Sequence, residues 1–163
     1  MRIMDFGAGT GLLIEQVAPL VGHIAAVDVS RAMLDQLAQK PALQDKVEVH
    51  CQDITREPLA QRFDGIVSAM AMHHVEDTPA LLAAFAEHLE PGGFLAVADL
   101  DAEDGSFHPA DTEGVFHHGF DRDRLQGQLG DAGFANVHFV TAAQVQREDG
   151  HTYPVFLVTA RRS

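Results

Sequence analysis

The sequence predicts an α/β fold: a doubly wound, mostly parallel seven-stranded sheet with an antiparallel C-terminal β-hairpin. Three observations carry this prediction. Short apolar runs alternate with segments of helical periodicity, the pattern of strand–helix–strand units. Capping residues, prolines and glycines fall at most of the junctions. The last two apolar runs have no helix between them, so they are expected to pair antiparallel at one edge of the sheet.

"RIMDF" reads as a buried strand and "GLLIEQVAPL" as the helix that follows it. "HIAAVDV" is a second strand; Ser30 then caps a helix over "RAMLDQLAQK", with Met33, Leu34 and Leu37 on one face. "KVEVHC" and "FDGIVSAM" are the third and fourth strands. Thr78 is the expected cap of a helix over "PALLAAFAEHLE", with Pro79 at its first position and Pro91-Gly92-Gly93 as its stop. "FLAVADL" follows as the fifth strand, and Asp121 caps "RDRLQGQLGDA", which ends at Gly133. "NVHFVTA" and "YPVFLVTA" close the chain, joined by the polar stretch "QVQREDGH". Leu100–Phe120 shows no regular pattern.

The 163 residues are enough for one domain with a single sizeable core. A hydrophobic content of 46% and a charged content of 21% fit a globular chain rather than a disordered one. No apolar run approaches the roughly 18–20 residues of a membrane span. The start carries no basic-then-apolar signal pattern, and Cys51 is the only cysteine, so a reducing cytoplasm is the expected setting. The net charge of −13 argues against nucleic acid as a partner, because affinity there comes from neutralising phosphates. A small molecule is the expected partner.

The first strand runs directly into "DFGAGTG". In a parallel sheet this first strand-to-helix turn lies beyond the carboxyl ends of the strands, where ligands bind. A dinucleotide loop of the form G-x-G-x-x-G would place its third glycine at position 12, which is Leu12. The observed spacing is G-x-G-x-G, with Asp5 two residues before the first glycine. Asp28 closes the second strand and Asp53 the third, so both acids converge on the same edge. Taken alone, Asp28 is equally well read as a carboxylate favouring a helix N-terminus, and Asp53 as a turn residue.

Together with "FDGIVSAMAMHHVED" and "LEPGGFLAVAD", this set resembles the class I S-adenosylmethionine-dependent methyltransferases, in particular the ubiquinone and menaquinone methyltransferase-like, small-molecule type. The likeness runs from Arg2 to the C-terminus and implies a Rossmann-like fold with S-adenosyl-L-methionine as cofactor. It implies a cofactor site made of Asp5, Gly7, Ala8, Gly9, Gly11, Asp28, Val29, Asp53, Ile54, Ala69 and Met70. The loop would wrap the methionine portion, with Asp5 toward its ammonium group. Asp28 would accept the ribose hydroxyls, since a carboxylate offers two oxygens to a vicinal diol. Asp53 would lie near the adenine amino group.

Transfer of the methyl group to an O, N or C atom of a small molecule would proceed by in-line displacement, in which the protein chiefly aligns the partners and excludes water. A base is needed only where the nucleophile must lose a proton. His73 and His74 are the candidates, against the simpler reading that they pack or bond a backbone group. Met70 and Met72 are read as apolar wall or core. His108, His117 and His118 add imidazoles in the unpatterned stretch, but no fixed ligand spacing accompanies them, and no metal is expected. Asp99, Asp101, Glu103, Asp104, Asp111 and Glu113 occur there without Lys or Arg, so a cationic substrate is one expectation and a solubilising loop the other.

The resemblance also implies lid helices before the first strand, whereas only "MRIM" precedes Asp5. The expectation is therefore a single domain over residues 1–163 without those helices: either a minimal chain, or one whose Met1 is internal to a longer product. Self-association to cover the exposed side is a further expectation. Two other functions remain beside methyl transfer: a cofactor-binding module or regulatory subunit without activity, and a nucleotide-dependent oxidoreductase, which Leu12 disfavours.

Overall fold

The computed structural model describes residues 1–163. The chain runs through β1 (Arg2–Phe6), α1 (Leu12–Val17), β2 (His23–Asp28), α2 (Arg31–Ala38), β3 (Val47–Cys51), β4 (Phe63–Ala69), α3 (Thr78–Glu87), β5 (Leu89–Leu100), α4 (Arg122–Asp131), β6 (Phe134–Gln146) and β7 (Thr152–Arg162). The strands form one seven-stranded sheet in the order β3-β2-β1-β4-β5-β7-β6. β1 to β5 are mutually parallel, and β7 runs antiparallel to both β5 and β6. The order reverses between β1 and β4, which opens a crevice beyond their carboxyl ends.

The two-residue period of the central strands divides the core into two layers. Ile3 of β1 and Ile24 and Ala26 of β2 pack with Ile14 of α1 and with Leu34 and Leu37 of α2. Met4, Ala25 and Val27 point the other way, into the larger cluster with Phe85 of α3 and Leu125 and Leu129 of α4. Strands buried on both faces read as continuous apolar runs, which is why they stand out in the sequence.

Four details differ from the sequence reading. The cap of α3 is Asp77, whose carboxylate accepts the Ala80 N–H at 3.0 Å; Thr78 is already helical and buried. That helix stops at Glu87, and Leu89 pairs with Phe63 before the ladder resumes at Phe94 opposite Gly65. Pro91-Gly92-Gly93 is thus an irregularity at the head of β5 rather than the stop of a helix, and the Phe94 ring occupies the space a Cβ at residue 65 would need. On α2, Leu34 and Leu37 are buried but Met33 is 47% exposed. β6 and β7 extend past their apolar cores because a ladder needs paired backbone groups, not apolar side chains: Gln146 still pairs with Thr152. No helix is long and apolar enough to cross a membrane.

Candidate functional site

The turn after β1 is pinned to the end of β2. The Gly7 and Ala8 amides both donate to the Val27 carbonyl, at 2.8 and 3.0 Å. Asp28 fixes the next residues: its Oδ2 accepts the Gly9 N–H at 2.8 Å and its Oδ1 the Ser30 N–H at 2.9 Å. Gly7 sits at φ 71°, in the left-handed region, and a Cβ there would collide with that of Ala71. The backbone therefore bends sharply and approaches the 70–71 segment as only glycine permits. Met70 stands opposite at φ 57°, a strained conformation for a non-glycine residue that turns the chain out of β4.

Between these walls lies a cleft of about 660 Å³, within the range of about 300–1,000 Å³ for small-molecule sites. Gly7, Gly9, Asp28, Val29, Asp53, Met70 and His74 line it. Val29, at 72% exposure, offers apolar surface beside the Asp28 carboxylate. Asp53 serves a turn as well, accepting the Thr55 N–H and hydroxyl through Oδ1. Ala8, Ile54 and His73 are buried, Gly11 caps α1 beside Leu37, and Ala69 ends β4; none of these five lines the cleft. Asp5 also lies outside the lining, only 1% exposed beneath the loop, and its Oδ2 has no hydrogen-bond partner. Burial, reinforced by the charge of Asp28, pushes its carboxyl pKa up to about 8.

Sequence reasoning did not single out Ser30, Gln52, Glu76 or Phe116 as lining residues. The first two follow the ends of β2 and β3, so the strand-end argument that selected Asp28 and Asp53 would have found them. Phe116 arrives from the unpatterned stretch, and no local signal identifies it.

That stretch folds back over a short 3-10 turn, Met72–His74. The Phe116 amide donates to the His73 carbonyl at 3.0 Å. His74 Nδ1 lies 2.8 Å from the Gly114 carbonyl, which only accepts, so Nδ1 carries the proton and Nε2 the lone pair. His73 Nδ1 lies 2.8 Å from Oδ1 of Asp99, a residue with no exposure, and its amide donates to Oδ2 at 3.0 Å. The carboxylate thereby leaves Nε2 of His73 as the free nitrogen as well. His108 packs against both rings, at centroid distances of 5.1 and 6.1 Å. Its pKa is lowered by burial and then by the neighbouring His73 and His74.

The five histidines do not gather as one group. His117 Nε2 faces the Val75 carbonyl at 2.9 Å, and His118 pairs with Glu103 at 3.6 Å. The acidic residues are also divided. Asp99 is spent on His73, Asp101 is gripped by Arg122 at 2.7 and 2.8 Å, and Glu103 accepts the Gly105 and Phe107 amides. Three of the six carboxylates thus hold the segment together and offer no free acidic surface to a cation.

The family profile described as a methyltransferase domain matches residues 3–93. An uncharacterised methyltransferase of Schizosaccharomyces pombe is 31% identical over 161 residues, spanning 88% of this chain and 57% of its own length. A ubiquinone biosynthesis O-methyltransferase of Alkalilimnicola ehrlichii is 36% identical over 110 residues, 65% of this chain and 44% of that protein. The chain therefore spans about half the length of such relatives. Among solved structures, the N-methyltransferase NodS of Bradyrhizobium japonicum in complex with S-adenosyl-L-homocysteine superposes with a TM-score of 0.77 at 21% identity, covering 99% of this chain and 77% of that one. Phosphoethanolamine N-methyltransferase 2 of Haemonchus contortus, in complex with S-adenosyl-L-methionine, gives 0.78 at 15% identity, over 99% of this chain and 48% of that one. These likenesses share the mostly parallel sheet with its antiparallel C-terminal pair, and with residues 3–93 matched, the chain belongs to the methyltransferase domain family.

Proposed function

We propose that this chain binds S-adenosyl-L-methionine in the cleft at the ends of β1, β2 and β3 and directs methyl transfer to an O, N or C atom of a small molecule. The observation that carries this reading is the Asp28 carboxylate, held at the cleft by two backbone amides. Each of its oxygens keeps a further lone pair, which suits a vicinal diol. The residues present fit the rest of such a cofactor. Val29 and Met33 give exposed apolar surface for a flat base, Asp53 lies at the adenine end, and the loop at Gly7 leaves room for backbone approach. Asp5 is a buried acid with an unpartnered oxygen, suited to an ammonium group that restores its charge.

When bound, the cofactor supplies an electrophilic methyl group on a sulfonium. The chain's own contribution is alignment: Asp28 and the glycine loop hold one side, while Met70, Ala71 and Phe116 form the opposing wall and limit water. Where the acceptor must lose a proton, Nε2 of His74 is the cleft-lining imidazole nitrogen with a free lone pair, and His73 stacks behind it at 4.1 Å between ring centroids.

Calorimetry with S-adenosyl-L-homocysteine and with NAD, followed by a labelled methyl donor presented with pools of small metabolites, tests the proposal. Binding of the homocysteine compound with transfer to one metabolite is expected. Tight NAD binding without it would overturn the reading, and binding without any transfer would leave a cofactor-binding module.

A further inference from the structure

We propose that His73, His74 and His108 form a site for one divalent d-block cation, of the zinc or cobalt kind, at the edge of the cleft. One ring nitrogen from each lies within 4.8 Å of those of the other two. In a four-coordinate site with metal–nitrogen bonds of about 2.0–2.1 Å, ligand nitrogens stand about 3.4 Å apart. The rings therefore need to close by little more than 1 Å, roughly, to meet one ion.

The hydrogen bonds around these rings are those a metal site requires. His73 is buried, and Asp99 fixes its Nδ1; a carboxylate behind a ligating imidazole sets the tautomer, aims Nε2 and strengthens it as a donor. His74 is fixed in the same sense by the Gly114 carbonyl. Two neighbouring imidazoles thus carry their protons outward and their lone pairs on Nε2, with no donor group supplied to either nitrogen. His108 makes no hydrogen bond and is half buried, so it can swing to close the set.

His88 is the internal contrast. It is equally buried, but its Nδ1 donates to the Ala84 carbonyl and its Nε2 accepts the Leu59 amide, so both nitrogens are used and nothing remains for a ligand. Three imidazoles without a carboxylate in the first sphere favour zinc, cobalt, nickel or copper over magnesium or calcium. Three protein ligands also leave coordination positions open, as in sites that take water or an oxygen of a small molecule. Because His74 lines the cleft, those positions border it. With an ion in place, His74 no longer accepts a proton; this last consequence rests on the methyl-transfer reading, while ion binding does not.

The test uses the untagged chain titrated with Co²⁺ and, in competition, Zn²⁺. One equivalent is expected to bind with the visible absorption of four-coordinate cobalt and to raise the melting temperature. His108→Ala, at a half-buried position that leaves the core intact, is expected to weaken binding at least tenfold and to abolish the thermal shift. Asp99→Asn is expected to weaken binding about 10–100-fold. His118→Ala is the control and should change neither. An unaltered cobalt spectrum in His108→Ala, or no saturable binding by the parent chain, would overturn the site. S-adenosyl-L-homocysteine binding, measured in parallel on the same samples, separates failure of the metal site from failure of the methyl-transfer reading.

Discussion

Two buried aspartates stand under the two walls of the cleft, and they are treated in opposite ways. Asp99, beneath the histidine wall, accepts from the His73 amide, the Leu100 amide and the His73 ring. Asp5, beneath the glycine wall, has an oxygen with no partner and a pKa near 8. A carboxylate surrounded by donors is a finished structural element; one left without them favours its neutral form until a cation approaches. The first acid is fully partnered within its wall, and the second has a place kept for a visitor.

Asp5 offers the largest way to break this comparison. The unfolded chain loses that proton near pH 4, whereas the folded chain holds it to about pH 8. Between these values the folded state binds the extra proton, so its stability falls as pH rises, by up to about 1.4 kcal/mol per pH unit. Asp5→Asn should flatten that slope and leave the free protein more stable than the parent at pH 7, as read from urea midpoints at pH 5 and 7. In the parent, affinity for S-adenosyl-L-homocysteine should rise toward pH 8, because binding an ammonium expels the proton. A flat parent profile in both measurements would remove the contrast between the two acids.

Asp99→Ala probes the other side. It strips an acceptor from three N–H groups in a buried setting and should cost about 3–5 kcal/mol of unfolding free energy. A loss below about 1 kcal/mol, the usual net worth of one hydrogen bond, would show that the histidine wall does not rest on this residue.

Asp28→Ala sharpens the comparison at the mouth of the cleft. It frees the Gly9 and Ser30 amides and removes the proposed ribose acceptor, so calorimetry should report S-adenosyl-L-homocysteine bound about 10–100-fold more weakly. The effect on folding should be smaller than that of Asp99→Ala, because this carboxylate is only partly buried and water replaces it.

The two walls also differed in how far the sequence revealed them. The glycine wall is local: Gly7 and Gly9 follow a strand within a few residues, and Asp28 and Asp53 mark the ends of the next two. Every one of those positions was accessible to strand-end reasoning, as was the order of the elements. The histidine wall is built from side chains far apart in the chain. His73 meets Asp99 across 26 positions and His74 meets Gly114 across 40, while Leu100–Phe120 has no periodicity to predict its path. The acidic composition of that segment does not reveal which carboxylates are already partnered, because Arg122, which binds Asp101, lies outside it. Where a contact is decided by tertiary closure, composition describes the parts without their partners.

The segment's two ends are clasped together. Phe120 donates to the Leu100 carbonyl and Ala102 to that of Phe120, the Glu103 amide reaches the His118 carbonyl, and at Gly119 a Cβ would strike the Asp101 backbone. A loop whose ends already meet can change in length at little thermodynamic cost, about 0.6 kcal/mol per doubling. Residues 104–117 thus leave and return through one closed junction, so a change of length there should cost the sheet little, while a change of sequence should be felt at the side of the cleft that Gly114 and Phe116 reach.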